Sequence, residues 1–181
     1  NVDRSYRTGI ELEGVLRFNS HFTWEANIAL SENKIKNFTE VVYDYGVNFD
    51  EFNEIQNQFR NVDISFSPSV IMGSGLTYSP AGNFDASLLS KYVGDQFSDN
   101  TSNENRKIDS YFTNDLRMSY HPTIEGLKEF AISLQVNNIF DIAYESNGYT
   151  YGYIGGGETI RQNYYYPQAG RNFMAMLSMK F

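Results

Sequence analysis

The chain has 181 residues, 41% hydrophobic, 20% charged and 16% aromatic, with 14 Tyr, 14 Phe, no Cys and a formal net charge of −8. That length is one domain, large enough to bury a core, and the missing cysteine excludes disulfide-stapled miniproteins, thiol catalysis, Cys-ligated zinc and iron–sulfur clusters. The acidic balance without a basic run excludes a nucleic-acid surface, and no apolar stretch is long enough for a transmembrane helix, an argument that does not reach transmembrane strands.

Asn1 opens the chain with no initiator Met, basic region or apolar run, so it reads as the middle of something. From there period-two alternation predicts an all-β chain with seven strands. The first sets Ile10, Leu12, Gly14, Leu16 and Phe18 against Glu11, Glu13, Val15 and Arg17, and the second sets Phe22, Trp24, Ala26, Ile28 and Leu30 against Glu25 and Asn27. The third runs Val70 to Tyr78 and the fourth Phe84 to Tyr92. The fifth places Phe112, Leu116, Met118 and Tyr120 opposite Asp115 and Arg117. The sixth alternates from Phe130 to Asn137, and the last carries Phe173, Ala175, Leu177, Met179 and Phe181 on one face.

Short turns join the first and second strands (Asn19 to His21), the third and fourth (Ser79 to Asn83) and the fifth and sixth (His121 to Glu129), while long polar connections are expected over 31–67, 97–109 and 141–170. Strands of membrane-crossing length, with short turns at one end and long loops at the other, predict an antiparallel up-and-down transmembrane β-barrel. The apolar faces hold no charge, which collects on the opposite faces as in a wet or plugged lumen. Phe18, Phe22, Tyr78, Phe84, Tyr120, Phe130 and Phe181 ring the short-turn end of the apolar faces as an aromatic girdle would. Seven strands cannot close, so the whole chain, 1–181, reads as the C-terminal part of one larger barrel domain.

After the sixth strand come Val136-Asn137-Asn138-Ile139-Phe140-Asp141, then Tyr144-Glu145 and Asn147-Gly148-Tyr149. Near the end stand Tyr166-Pro167-Gln168-Ala169-Gly170-Arg171-Asn172-Phe173 and Met179-Lys180-Phe181. This set, together with Thr8 to Glu13 and Tyr92 to Phe97, resembles the end of TonB-dependent outer-membrane receptors of Bacteroidetes-like type. The resemblance implies about seven C-terminal strands of a 22-stranded barrel, with plug, earlier strands and TonB-engaging segment absent. It also implies uptake of a scarce ligand such as a ferric siderophore, haem, cobalamin or glycan across the outer membrane of a Gram-negative bacterium. The implied partners are outer-membrane lipid, the rest of the barrel and its plug, the TonB complex and the barrel assembly machinery, with no nucleic acid and no cofactor.

Three sets of residues are candidates for these roles. Glu11, Glu13, Glu25, Asp115 and Arg117 are assigned to plug or lumen contacts, or else to bracing the inner wall. Tyr144, Tyr149, Tyr151, Tyr153, Tyr164, Tyr165 and Tyr166, with Arg161 among them, can stack on catecholate or sugar rings while Arg161 meets an anion; the simpler alternative is that they pack the loop and extend an upper girdle. Phe173, Leu177, Met179 and Phe181 resemble the signal read by the assembly machinery.

Weaker signals yield no chemistry. His21 and His121 lack partners at ligand spacing. The acidic runs around Asp44 to Glu54 and Asp95 to Glu104 fit no EF-hand, and Gly155-Gly156-Gly157 lacks the ending of a phosphate loop. With no catalytic constellation the chain is expected not to be an enzyme. The competing readings are a soluble secreted β-sandwich that binds glycans through its tyrosines and, behind it, an outer-membrane barrel hydrolase.

Overall fold

The computed structural model describes residues 2, 4–80 and 82–181. Twelve strands follow in order: β1 Ser5–Arg17, β2 Phe22–Asp44, β3 Asn53–Asp63, β4 Val70–Tyr78, β5 Phe84–Val93, β6 Gln96–Phe97, β7 Lys107–Ile108, β8 Tyr111–Tyr120, β9 Glu129–Asn137, β10 Glu145–Gly155, β11 Glu158–Pro167 and β12 Asn172–Lys180. A single 3₁₀ turn, Glu104–Arg106, sits between β6 and β7.

Seven of these strands are the alternating segments of the sequence, and they form one antiparallel up-and-down wall in chain order, β1-β2-β4-β5-β8-β9-β12. Register carries the apolar residues into continuous rows. Leu16 faces Trp24, Trp24 faces Leu76, Leu76 faces Leu88, Leu88 faces Leu116, and Leu116 faces Val136, which meets Phe173. A one-residue slip anywhere would throw a whole strand's apolar set to the other face, so the alternation itself holds the register.

A sandwich requires those apolar faces to pack on one another. They do not: the wall is one layer, with Ile10 64%, Leu12 63%, Leu177 57% and Phe181 78% exposed. The sandwich reading is therefore overturned. The buried apolar residues, Ile35, Val42, Val62, Val93 and Ile108, lie instead at or above the long-connection end. The single-layer wall has no inside, and the core belongs to the connections.

At the opposite end the turns are tight and tied together. Asn19 Oδ1 accepts from the amides of His21 and Phe22 at 2.8 and 3.0 Å, an Asx turn. Neighbouring turns are linked by Ser79 N to His21 O and His121 N to Asn83 O, both 2.7 Å. Phe22 stacks on Tyr78 with centroids 4.6 Å apart, and Phe84 pairs with Tyr120, so the girdle residues lie beside one another.

The long connections differ from expectation. Residues 31–67 are not an open loop: β2 runs on without interruption to Asp44 and pairs with β3, and β3 leads down into β4. Residues 141–170 fold back as the β10–β11 hairpin. Both pairs mix polar and apolar residues on each face, so they lack the uninterrupted aliphatic alternation that marks the wall strands.

Candidate functional site: the interlocked upper connections

Three connections cluster at the upper end: the β2–β3 hairpin, the segment from Gly94 to Ile108, and the β10–β11 hairpin. The β10–β11 turn is Gly156-Gly157, with φ of 64° and 82°, the two-residue type I′ geometry that matches strand twist. Its tip lies against the β2–β3 apex through Tyr45 N to Ile154 O at 2.8 Å and Gly156 N to Gly46 O at 3.0 Å. A parallel strand bridge, Ile154 to Asp44, completes the contact. A Cβ on Gly155 would stand 2.5 Å from Phe49 Cε1, so a larger residue there must displace the Phe49 ring at the contact. Gly155→Val is expected to part the tips and make both hairpins more protease-sensitive, with the wall still folded; unchanged cleavage would contradict the contact.

The middle segment wedges between the hairpins. Toward β3, Ser65 N donates to Asn100 Oδ1 and Asp63 N to Ser102 Oγ, both at 2.7 Å. Toward the other side, Asn163 Nδ2 donates to Asn105 O at 2.6 Å and Tyr165 OH to Lys107 O at 3.1 Å. At the centre is Glu40 of β2. Its Oε1 lies 2.8 Å from Arg161 of β11 and 3.0 Å from Arg106, which also holds Asp99 at 2.5 Å. Arg106 is 8% exposed, so its charge depends on these partners. Burial works to raise the Glu40 pKa, but hydrogen bonds from Arg161 and Asn57 and the charges of Arg161 and Arg106 hold it below the ordinary glutamate range.

The β10–β11 hairpin thus has two faces. One carries Arg161, Asn163 and Tyr165 and is docked. The other carries Tyr149, Tyr151, Tyr153, Tyr164 and Tyr166, in a register that sets Tyr149 opposite Tyr164 and Tyr151 opposite Gln162. Tyr149 stacks on Tyr164 at 4.8 Å and lies 6.2 Å from Tyr166, and Tyr164 donates to Gln162 Oε1. Tyr151 is the most open, at 53% exposed.

The sequence reading missed three further rings. Tyr153 meets Tyr45 edge-on at 5.8 Å, Tyr45 lies 5.9 Å from Phe52, and Phe52 stacks on Tyr43 at 5.0 Å. The aromatic row therefore crosses from one hairpin to the other. Within the chain, the alternation of Tyr149, Tyr151 and Tyr153 was its visible signal; the crossing to Tyr45 was not encoded locally. Tyr144 stands apart from the row, 4.5 Å from Tyr111 at the hairpin base.

On the polar face of the wall, Asp115 Oδ1 accepts from Asn138 N at 2.8 Å, and Arg117 Nε donates to Gln135 Oε1 at 3.3 Å. Glu11, Glu13 and Glu25 share that face on β1 and β2, and Glu25 lies across from Gly75. These five are not brought into one cluster. Asn138 and Asp141 explain the motif that contains them. Both have positive φ, 50° and 56°. Asn138 accepts from Ile142 N at 3.0 Å and donates to Ile142 O at 2.9 Å, and Asp141 accepts from Arg171 N at 2.7 Å. The pair clamps the two feet of the hairpin where β9 ends and β12 begins. Phe173, Leu177 and Met179 stand on the exposed apolar face of β12, opposite Val136, Ile132 and Phe130, and Lys128 Nζ donates to the carbonyl of Phe181 at 2.7 Å. Among the described residues no group of three or more His, Asp or Glu is arranged to hold a metal ion.

Structural comparison finds the same fold within several larger receptors and transporters. The siderophore receptor PiuA from Acinetobacter baumannii superposes with a TM-score of 0.66 at 16% identity, over 97% of this chain and 21% of its own. The copper transporter OprC gives 0.65 at 19% identity, over 98% and 24%, and the ferric yersiniabactin uptake receptor FyuA from Yersinia pestis 0.56 at 21%, over 94% and 22%. The chain thus spans under a quarter of the length of these structures, and at such identities the likeness is one of fold. No curated protein matches the sequence. The family model described as "TonB dependent receptor-like, beta-barrel" matches residues 1–139, more than half of the chain. With wall, register and family in agreement, the chain belongs to the TonB-dependent receptor β-barrel family, whose members are outer-membrane proteins of Gram-negative bacteria.

Proposed function

We propose that the chain forms part of the wall and extracellular mouth of an outer-membrane receptor that takes up a scarce, ring-bearing ligand, of the siderophore or glycan kind, with energy from TonB. The observation that carries this reading is the division of the molecule: an exposed apolar face with no second layer, an uncharged outer row in register, and a mouth whose hairpins are locked to each other. The apolar face meets lipid, and the short turns face the periplasm. The polar face looks into the lumen, where Glu11, Glu13 and Glu25 contact the plug, while Asp115 and Arg117 also brace the wall. TonB acts through a segment outside this chain.

The open tyrosine face is the capture surface, since rigid amphipathic rings supply contact area at low entropic cost. In the full-length receptor, Tyr149→Ala with Tyr151→Ala is expected to reduce ligand-dependent growth and uptake by about tenfold or more, from the loss of two stacking contacts. Wild-type uptake at wild-type receptor levels would overturn the capture role.

The exposed stripe of Phe173, Leu177, Met179 and Phe181 serves as the assembly signal. Deletion of Phe181 is expected to lower the folded outer-membrane yield severalfold, read as the heat-modifiable gel band; a normal yield would remove that assignment.

A further inference from the structure

We propose that the tyrosine face takes a neutral, hydroxyl-rich ligand, an extended oligosaccharide, and rejects anionic chelates; this rests on reading the upper connections as a receptor mouth. The argument is one of charge allocation. Five of the six cations that the upper connections contribute are already engaged. Arg161 and Arg106 are bound to Glu40, Lys107 lies 2.6 Å from Asp95 and 2.9 Å from Glu104, and Lys34 lies 2.7 Å from Asp63. Lys36 sits over the Tyr6 ring at 4.6 Å, and the sixth, Arg60, is exposed on β3 across from Asn37, well below the hairpin apex. Arg161 is the sole cation between residues 141 and 170, and it points from the docked face, away from the rings.

The open face has the opposite character. Strand alternation sets Asn147 in line with Tyr149 and Tyr151 on β10, and Glu158 and Gln162 in line with Tyr164 on β11, with no Lys or Arg on either strand of that face. The faces of tyrosine rings carry negative quadrupole potential, and the Glu158 carboxylate adds to it. An anionic iron chelate approaching this face meets repulsion with no compensating cation. The groups between the rings are neutral amides and phenol hydroxyls, which exchange hydrogen bonds with sugar hydroxyls as donors and acceptors. The Glu158 carboxylate accepts hydrogen bonds from hydroxyls. A compact cation finds no carboxylate beside the central rings. The row continues through Tyr45, Phe52 and Tyr43 onto the neighbouring hairpin, which suits several sugar rings in succession rather than one.

The test uses the purified full-length receptor and immobilised probes: dextran, mannan, β-glucan and xylan as neutral polymers, polygalacturonate as an anionic sugar polymer, and ferric enterobactin as an anionic chelate. At least one neutral polymer is expected to retain the receptor, about tenfold or more better than polygalacturonate, and Tyr149→Ala with Tyr151→Ala should abolish that advantage. Glu158→Lys, which places a cation on the open face without touching a ring, is expected to gain retention on polygalacturonate. Retention on none of the neutral polymers overturns the inference. If ferric enterobactin alone binds and the tyrosine substitutions abolish it, the neutral class falls and the capture surface stands. If a probe binds but is indifferent to Tyr149 and Tyr151, both fall.

Discussion

Glu40→Ala in the full-length receptor is expected to loosen all three upper connections at once. Among the described residues Glu40 is the one carboxylate shared by Arg106 of the middle segment and Arg161 of the β10–β11 hairpin. Its removal leaves Arg106, 8% exposed, with Asp99 as its remaining ion partner, and Arg161 with none among the described residues. Removing one partner of a buried ion pair costs about 3 to 5 kcal/mol, much of it the burden of the stranded charge, whereas an exposed surface pair costs about 1 kcal/mol or less. Glu40 has a side chain 13% exposed, so the larger figure governs. The measurement is amide hydrogen exchange. Faster exchange is expected through residues 38–46, 96–108 and 147–165, with the wall strands β4, β5 and β8 unchanged. Because the folded carboxyl is held below its ordinary range, the junction is fully stabilising above that range and is lost as pH falls through the lower folded value. Acidification of the wild type should therefore reproduce the Glu40→Ala exchange pattern. Exchange that accelerates in the β2–β3 hairpin alone would show the three connections to be independent.

Leu76→Arg is the second large effect. Leu76 lies in the apolar row between Trp24 and Leu88, and an arginine facing the middle of a bilayer from a barrel wall costs about 2 to 4 kcal/mol. The neighbouring polar-face position gives the control. Leu89 sits opposite Asp115, so Leu89→Arg enters the lumen beside a carboxylate and is expected to leave assembly intact. Folded outer-membrane yield and urea midpoint in liposomes separate the two: Leu76→Arg should fall in both. Equal tolerance of the two substitutions would mean that the apolar face does not meet lipid.

The wall strands were legible because each crosses between two environments, and that demand writes a period of two into the residues themselves. Trp24, Ile28, Leu76 and Leu116 can be sorted by parity without coordinates. The upper connections carry no such demand. Glu40, Arg106, Arg161 and Asn163 read as solvated loop residues because each finds its partner only when three distant segments meet. Arg161, which the sequence offers as a cation for an anionic ligand, has Glu40 at 2.8 Å as its nearest charge, a partner that sequence spacing does not reveal. The tyrosines were visible as a group, but their division into a docked Tyr165 and an open row needs the hairpin register. The Asn138 to Asp141 segment was recognised by likeness, whereas its work as a clamp rests on two positive φ angles that residue types alone do not reveal.

The central claim is that strand parity sorts residues between lipid and lumen. It is tested most directly by spin labels placed singly at residues 24 to 30 of β2 in the full-length receptor in liposomes, with collision rates measured for oxygen, which partitions into lipid, and for a water-soluble nickel chelate. Oxygen accessibility should peak at positions 24, 26, 28 and 30 and chelate accessibility at 25, 27 and 29. A profile without period two, or one with the two sets exchanged, would contradict it.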